Sequence, residues 1–284
     1  MSKVAFMTMD VESMYDAVCI KRYGIEYNSR YSCEEAINDY LNLLDEFNIK
    51  GTFFTLASSL DKAKPILNMA IEKGHEIALH GLNHDSPLAM SKNEFIRNIS
   101  KAKHKLEHEL NIKIKGYRAP CFGINDDLVT ALKDLGFKYD SSNLNFSLAH
   151  DSGAIDLSEY NQKNDLVYKD NEFYEFNPAL LKFKTRYLPI SGGGYLRLIP
   201  WIFIKPYVKK YIKTHNCYMF YVHPFEIYSN KLPSYKELNL YERLYMTINR
   251  KRYLSIIRKL IKLLIKNNYE FMTMNQYRKK ERKI

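Results

Sequence analysis

Val4-Ala5-Phe6-Met7-Thr8-Met9 is an apolar, β-prone run that ends on Asp10-Val11-Glu12, and the same figure recurs down the chain. His75-Glu76-Ile77-Ala78-Leu79 ends on His80-Gly81-Leu82-Asn83-His84. Residues 113–117 end on Arg118-Ala119-Pro120, residues 186–190 on Ser191-Gly192-Gly193-Gly194, and residues 218–222 on His223-Pro224. Strands over 51–57, 137–139 and 269–272 complete the set. Between them lie helix signals: S-x-x-E boxes at Ser32 to Glu35 and Ser91 to Glu94, and glycine stops at Gly74 and Gly136. The spacing predicts helices from 32 to 47, 61–73, 91–110, 125–135, 200–213 and, as one long element, 241–266. Residues 141–185 are less regular and read as added hairpins. Strand and helix alternating seven or eight times predicts an α/β fold of parallel strands, closed into a barrel or doubly wound.

Composition fits that outline. The chain has 284 residues, 46% hydrophobic and 26% charged, a globular balance that excludes collagen-like, low-complexity and wholly disordered classes. No run of linker composition divides it, so a single domain over 1–275 is expected, with a solvated basic tail over 276–284. The four cysteines have no metal-like or disulfide-like spacing and read as free thiols. No secretory signal pattern opens the sequence and no apolar run is long enough to span a bilayer, which leads to an expectation of a cytoplasmic protein. The net charge of +11 is uneven: residues 205–284 hold 19 basic and 5 acidic side chains. That region predicts an anionic partner. Nucleic acid is the weakest candidate, because no reading module accompanies the charge.

The polar residues at the strand ends point to chemistry. In a parallel barrel these ends open on one face, where side chains from separate strands gather around one ligand. His80 and His84 with one carboxylate make a three-ligand set that leaves positions open, suited to Zn²⁺ or another first-row divalent ion. Asp10 and Glu12 alternate along an extended backbone; one can ligate and the other accept a proton. Arg118 can hold the base ionised, and a histidine on the opposite wall can protonate a leaving amine. Together the parts describe metal-assisted hydrolysis of an amide or ester. Each has a plainer reading: a turn aspartate, a chance H-x-x-x-H pair, a structural ion pair, a buried histidine. Their shared placement is what favours the site.

The ordered set Thr-Met-Asp-Val-Glu, Gly-His-Glu-Ile-Ala-Leu-His-Gly-Leu-Asn-His, Gly-Tyr-Arg-Ala-Pro, Leu-Pro-Ile-Ser-Gly-Gly-Gly-Tyr and Phe-Tyr-Val-His-Pro resembles the polysaccharide deacetylase family with its NodB-homology domain. The likeness runs from Val4 to about Met272. Leu135 to Ser142 and His223-Pro224-Phe225-Glu226 resemble the branch found in bacterial surface-polysaccharide gene clusters. The resemblance implies a distorted (β/α) barrel of about seven parallel strands that removes N-acetyl groups from amino sugars with a divalent metal, most often Zn²⁺, with Co²⁺ or Ni²⁺ as alternatives. By position it implies Asp10 as base, His80 and His84 as ligands, Arg118 as the brace of the base and His223 as general acid. Val11 stands where the family's usual second aspartate would be, which moves the third ligand to Glu12. The family's oxyanion donor, a backbone N–H, corresponds to Cys121. Gly193, Gly194 and Tyr195 are expected to let the backbone approach a sugar. Tyr15, Tyr117 and Trp201 are further candidates for stacking on it.

The partner expected is thus an N-acetylated sugar on a nucleotide, lipid or glycan carrier. Removal of another acyl group such as formyl, hydrolysis of another lipid-linked or small amide, and a catalytically idle glycan binder are the alternatives. Residues 251–266 pattern as an amphipathic helix with a basic stripe. It fits a barrel helix facing inward, or peripheral contact with an anionic inner-membrane surface, which the apolar run 198–204 would assist.

Overall fold

The protein is described by a computed structural model covering residues 2–25, 33–144, 153–183, 186–230 and 236–282. The first half alternates strand and helix: β1 (Lys3–Val11), α1 (Val18–Lys21), α2 (Glu34–Asp45), β2 (Thr52–Leu56), α3 (Leu60–Glu72), β3 (Glu76–Gly81), α4 (Lys92–Leu110), β4 (Gly116–Tyr117), α5 (Asp126–Asp134) and β5 (Tyr139–Asp140). Hairpins follow: β6 (Asn161–Gln162), β7 (Val167–Asp170), β8 (Phe173–Phe176), β9 (Leu180–Phe183) and β10 (Arg186–Pro189). The chain ends with α6 (Gly193–Leu198), α7 (Trp201–Thr214), β11 (Cys217–Val222), α8 (Pro224–Ile227), α9 (Leu240–Thr247), α10 (Arg250–Lys266), β12 (Tyr269–Phe271) and α11 (Met274–Glu281).

The main sheet runs β11-β1-β2-β3-β4-β5-β8-β7-β6, with β12 added to β1. From β11 to β8 each neighbouring pair is parallel, so seven parallel strands curl into a half-barrel. The β2 strand, Thr-Phe-Phe-Thr-Leu, is buried at every residue, as a strand covered on both faces must be. The α10 helix turns Tyr253, Ile257, Leu260, Ile261 and Leu264 inward. No helix among the described residues is long and apolar enough to cross a membrane.

Three expectations are corrected. The sixth parallel strand is β8, not residues 186–190. Those residues form β10, which pairs antiparallel with β9, while the chain just after it meets β11 at the isolated Gly192–Tyr221 bridge and through Tyr221 N donating to the Ser191 carbonyl. The long helix over 241–266 is two, because Ile248 is extended and Asn249 takes a left-handed φ of 57°. The basic tail is not wholly solvated: Thr273 and Gln276 cap each other's backbone and open α11, whose Tyr277 packs edge-on to Phe6 and Phe176. Ser32, expected to open α2, lies outside the described residues, and its neighbour Cys33 caps without a side-chain bond. Ser91 caps α4 as expected, accepting from Glu94 N at 3.3 Å.

Candidate active site

Side chains alternate along β1, so Asp10 and Glu12 share a face while Val11 enters the core on the other. Arg118, just past β4, reaches across to them and is fully buried. Its Nη1 donates to Asp10 Oδ1 at 2.7 Å and to Thr8 Oγ1 at 2.9 Å, while Nε and Nη2 donate to the carbonyl and hydroxyl of Ser141. Phe54 lies under the guanidinium, 4.0 Å from ring centre to Cζ. A buried arginine so fully engaged cannot swing, and it fixes one oxygen of Asp10 while the other turns elsewhere.

The support for Arg118 is itself buried. Ser142 Oγ accepts from Ala119 N at 2.7 Å and donates to Asp140 Oδ1 at 2.6 Å, and Glu175 accepts from Asn143 N at 3.1 Å. Asp140 and Glu175 come together because β5 pairs with β8. Burial pushes Asp140 up to about 6, and burial together with the Asp140 charge holds Glu175 well above the usual carboxylate range. One proton shared by the two satisfies both.

Glu12 faces two imidazoles. Its Oε2 lies 3.0 Å from His84 Nε2 and 3.5 Å from His80 Nε2. His80 Nδ1 lies 2.8 Å from the Arg118 carbonyl, which only an N–H can satisfy, so the Nε2 lone pair points at Glu12. Although burial opposes it, the His84 and His223 imidazoles hold Glu12 well below the usual carboxylate range. Burial likewise opposes a charged His84, and the Glu12 carboxylate raises it. Despite those charges, Glu12 Oε2 is buried with no hydrogen bond of acceptable geometry. An orphaned carboxylate oxygen beside two aligned imidazole nitrogens, all donor atoms within 4.8 Å of one another, fits a divalent cation.

His223, after β11, closes the other side. Its Nε2 lies 3.8 Å from Asp10 Oδ2 and 4.0 Å from Glu12 Oε1. Its Nδ1 lies 3.0 Å from Glu226 Oε2, which also accepts from His223 N at 3.1 Å. Glu226 is held in turn by the buried Arg197, at 3.3 Å. Burial would lower the His223 pKa, but Glu12, Glu226 and Asp10 raise it to about 9. A cation on Glu12 would weaken the first of those contributions and leave Glu226 in place.

Asp10, Glu12, His80, His84 and His223 line one cavity of about 490 Å³, shared with Cys121, Phe122, Tyr221, Tyr241 and Tyr245. Cys121 and Phe122 both take left-handed φ, 54° and 57°, which turns the backbone after Pro120 sharply past the wall. Of the residues expected from sequence, Asp10, Glu12, His80, His84, Arg118, His223 and Cys121 are brought together here. Gly193, Gly194 and Tyr195 are not among the lining residues. A Cβ on Gly193 would stand 2.7 Å from Tyr221 Oη, and one on Gly194 2.6 Å from Tyr245 Cε2. The two glycines therefore seat the tyrosines of the wall from behind. Tyr117 is buried against Phe95, and Trp201 lines a different groove.

Comparison with known proteins bears on the domain and the fold. A family profile described as polysaccharide deacetylase matches residues 19–139, and one described as a domain of unknown function, DUF3473, matches residues 142–279. Over residues 19–139 the chain carries a polysaccharide deacetylase domain. It is 23% identical to a peptidoglycan deacetylase of Helicobacter pylori over 202 residues, 69% of this chain and 67% of that protein. Its fold is similar to the crystal structure of a candidate polysaccharide deacetylase from Mycobacterium smegmatis, at 18% identity and a TM-score of 0.63 over 99% of this chain and 91% of that one. It is also similar to a CE4-family pseudoenzyme from Bacillus anthracis, at 12% identity and a TM-score of 0.54 over 97% and 65% of the two chains. The deacetylase match holds His80, His84 and Arg118, whereas Asp10 and Glu12 precede it and His223 lies in the second match. The cavity is completed only by the fold. Sequence reading gave no role to Glu226, though H-x-x-E opening a helix is the same i, i+3 figure as a capping box. It also missed Tyr221, Tyr241 and Tyr245, which no local pattern sets apart from core tyrosines.

Proposed function

We propose that the protein is a metal-dependent hydrolase that removes the N-acetyl group from an amino sugar of a bacterial surface-glycan precursor. What carries this reading is one cavity that holds an arginine-clamped carboxylate beside an unsatisfied Glu12, His80, His84 cluster, facing a carboxylate-backed histidine. Asp10 is the base: Arg118 holds its Oδ1, and Oδ2, turned toward His223, takes the proton of the attacking water. Glu12, His80 and His84 would hold the cation, zinc suiting them best and cobalt or nickel acceptable, and when bound it supplies Lewis acidity toward the acyl oxygen and toward water. The backbone N–H of Cys121 is assigned to the oxyanion. His223 donates its Nε2 proton to the amine nitrogen as the C–N bond breaks, with Glu226 holding the other ring nitrogen. Acetate and a free amino sugar leave. The acidic, imidazole and guanidinium groups have no use in an idle glycan binder, which needs only shape and hydrogen bonds.

The test is acetate release from an N-acetylated chito-oligosaccharide with zinc supplied. Asp10→Asn is expected to lower kcat about 10³-fold and, by leaving the buried Arg118 without its counter-charge, to cost about 3 kcal/mol of stability while the protein stays folded. Chelation is expected to stop turnover, and zinc to restore it. Full turnover by Asp10→Asn or His80→Ala overturns the mechanism.

A further inference from the structure

A second concavity lies on the outer wall, between α7 and α10. Lys205, Lys209 and Lys213 follow one another at i, i+4, i+8 on α7, and Lys259, Lys262 and Lys266 at i, i+3, i+7 on α10. Those spacings put each trio on a single helix face, and the two faces line one groove of about 650 Å³. Six ammonium groups thus surround one depression. Among the described residues none of the six stands within ion-pairing distance of a carboxylate; the nearby Glu46 is taken by both forks of Arg258, at 2.9 and 2.7 Å. Like charges at i, i+4 disfavour a helix, and so many along one groove raise a strong positive potential that water and salt alone must screen.

The upper end of that groove is apolar. Trp201 lines it, and the next two residues on the first turn of α7, Ile202 and Phe203, are 74% and 65% exposed. Both α7 and α10 lead into parallel strands and so run antiparallel to the sheet. Their first turns therefore lie at the end where the strands finish and the Asp10 cavity opens. At that same end Tyr241, 73% exposed, lines the cavity mouth, flanked by Leu240 at 72% and Leu244 at 44%. A nucleic acid or an anionic glycan would engage the lysines and leave this apolar rim in water. A bilayer surface takes both, headgroup phosphates on the cations and hydrocarbon at the acyl boundary.

We propose that the α7–α10 face docks on an anionic bilayer, with the six lysines against lipid phosphates and Ile202 and Phe203 at the acyl boundary. The cavity mouth then lies beside the membrane, and the substrate class is an N-acetylated sugar carried on a membrane lipid. This choice of substrate rests on the deacetylase reading, whereas the docking does not.

Co-sedimentation with vesicles of phosphatidylcholine, alone or with about one third phosphatidylglycerol, tests it. The wild-type protein is expected to bind the mixed vesicles, to weaken as salt rises, and to ignore the neutral ones. Lys205→Gln/Lys209→Gln/Lys262→Gln is expected to weaken binding about 100-fold, near fivefold per lysine. Ile202→Ser/Phe203→Ser is expected to weaken it at least tenfold with the lysines intact. Acetate release from a soluble oligosaccharide should be unchanged in both variants, since none of these residues lines the cavity. No binding to mixed vesicles at about 0.1 M salt overturns the docking. So does a protein that binds DNA or heparin through the lysines while vesicle binding ignores Ile202 and Phe203. Vesicle binding by a wild-type protein that releases no acetate upholds the docking and overturns the activity.

Discussion

Two histidines stand at opposite ends of β3, and the sheet treats them oppositely. His75, at the entry, is a structural acceptor: its Nδ1 takes the Gly51 N–H at 3.0 Å, and burial first, then Lys50, lowers its pKa to about 4. Beside it Glu76 accepts from Thr52, Tyr139 and the backbone of Asn275, which ties β2, β3, β5 and α11 together. His80, at the exit, spends one nitrogen on the Arg118 carbonyl and aims the other at a carboxylate. The entry end spends its polar groups on structural bonds to neutral donors and acceptors, and the one atom of His75 left over, Nε2, is buried and faces no carboxylate. The exit end gathers Asp10, Glu12, His80, His84, Arg118 and His223 and leaves an oxygen unsatisfied. What marks the working end is where its unsatisfied atom sits: beside two imidazole nitrogens in an open cavity.

Substitutions at the two ends should therefore separate stability from turnover. The largest effect is expected where the two meet, at Arg118→Met, which strands Asp10 in the interior. Chemical denaturation should show a loss of about 3–5 kcal/mol, and acetate release should vanish. Retained stability would mean that Asp10 does not depend on its partner. Next comes Glu226→Gln, at the exit end. It keeps the shape of the His223 support but not its charge, and kcat is expected to fall about 10²-fold with the fold intact. Because Glu226 raises the His223 pKa, the alkaline fall of the pH–rate profile should also move to lower pH; an unmoved profile would remove His223 from the acid role.

The smallest effect is a pH slope at the entry end. His75 has a folded pKa of about 4 against 6.5 unfolded, so the unfolded chain binds more protons between those values. Stability present above pH 6.5 should drain away as pH falls toward 4, by about 1 kcal/mol between pH 7 and 5.5 after allowing for partial solvent screening. His75→Asn, whose side-chain oxygen can still accept from Gly51, should flatten that slope and leave kcat unchanged. An equal slope in the variant would assign the acid sensitivity to other groups.

Much of the exit end was legible because it is local. An apolar run broken by Asp10-Val11-Glu12 or by His80 is visible in five or six residues, and period-two alternation puts both carboxylates on one face. What could not be read depends on partners far apart in the chain. Asp140 meets Glu175 only because β8 takes the sixth parallel place, and nothing in residues 173–176 says so against the equally β-prone residues 186–190. Gly193 and Gly194 looked like a loop for a ligand and proved to be clearance for Tyr221 and Tyr245. Residues 273–276 carried a legible T-x-x-Q cap, but the lysines and arginines after it pointed to a solvated tail, and only Phe6 and Phe176 reveal what Tyr277 is for.

The placing of β1 has a consequence for how the protein is made. Val4 pairs with Cys217 and Lys3 with Tyr269, so β1 waits for strands made more than 200 residues later before its edges are filled. Until then Asp10 and Glu12 hang on an unfinished sheet. A nascent chain halted anywhere before residue 271 would have its reactive carboxylates but no settled wall to hold them.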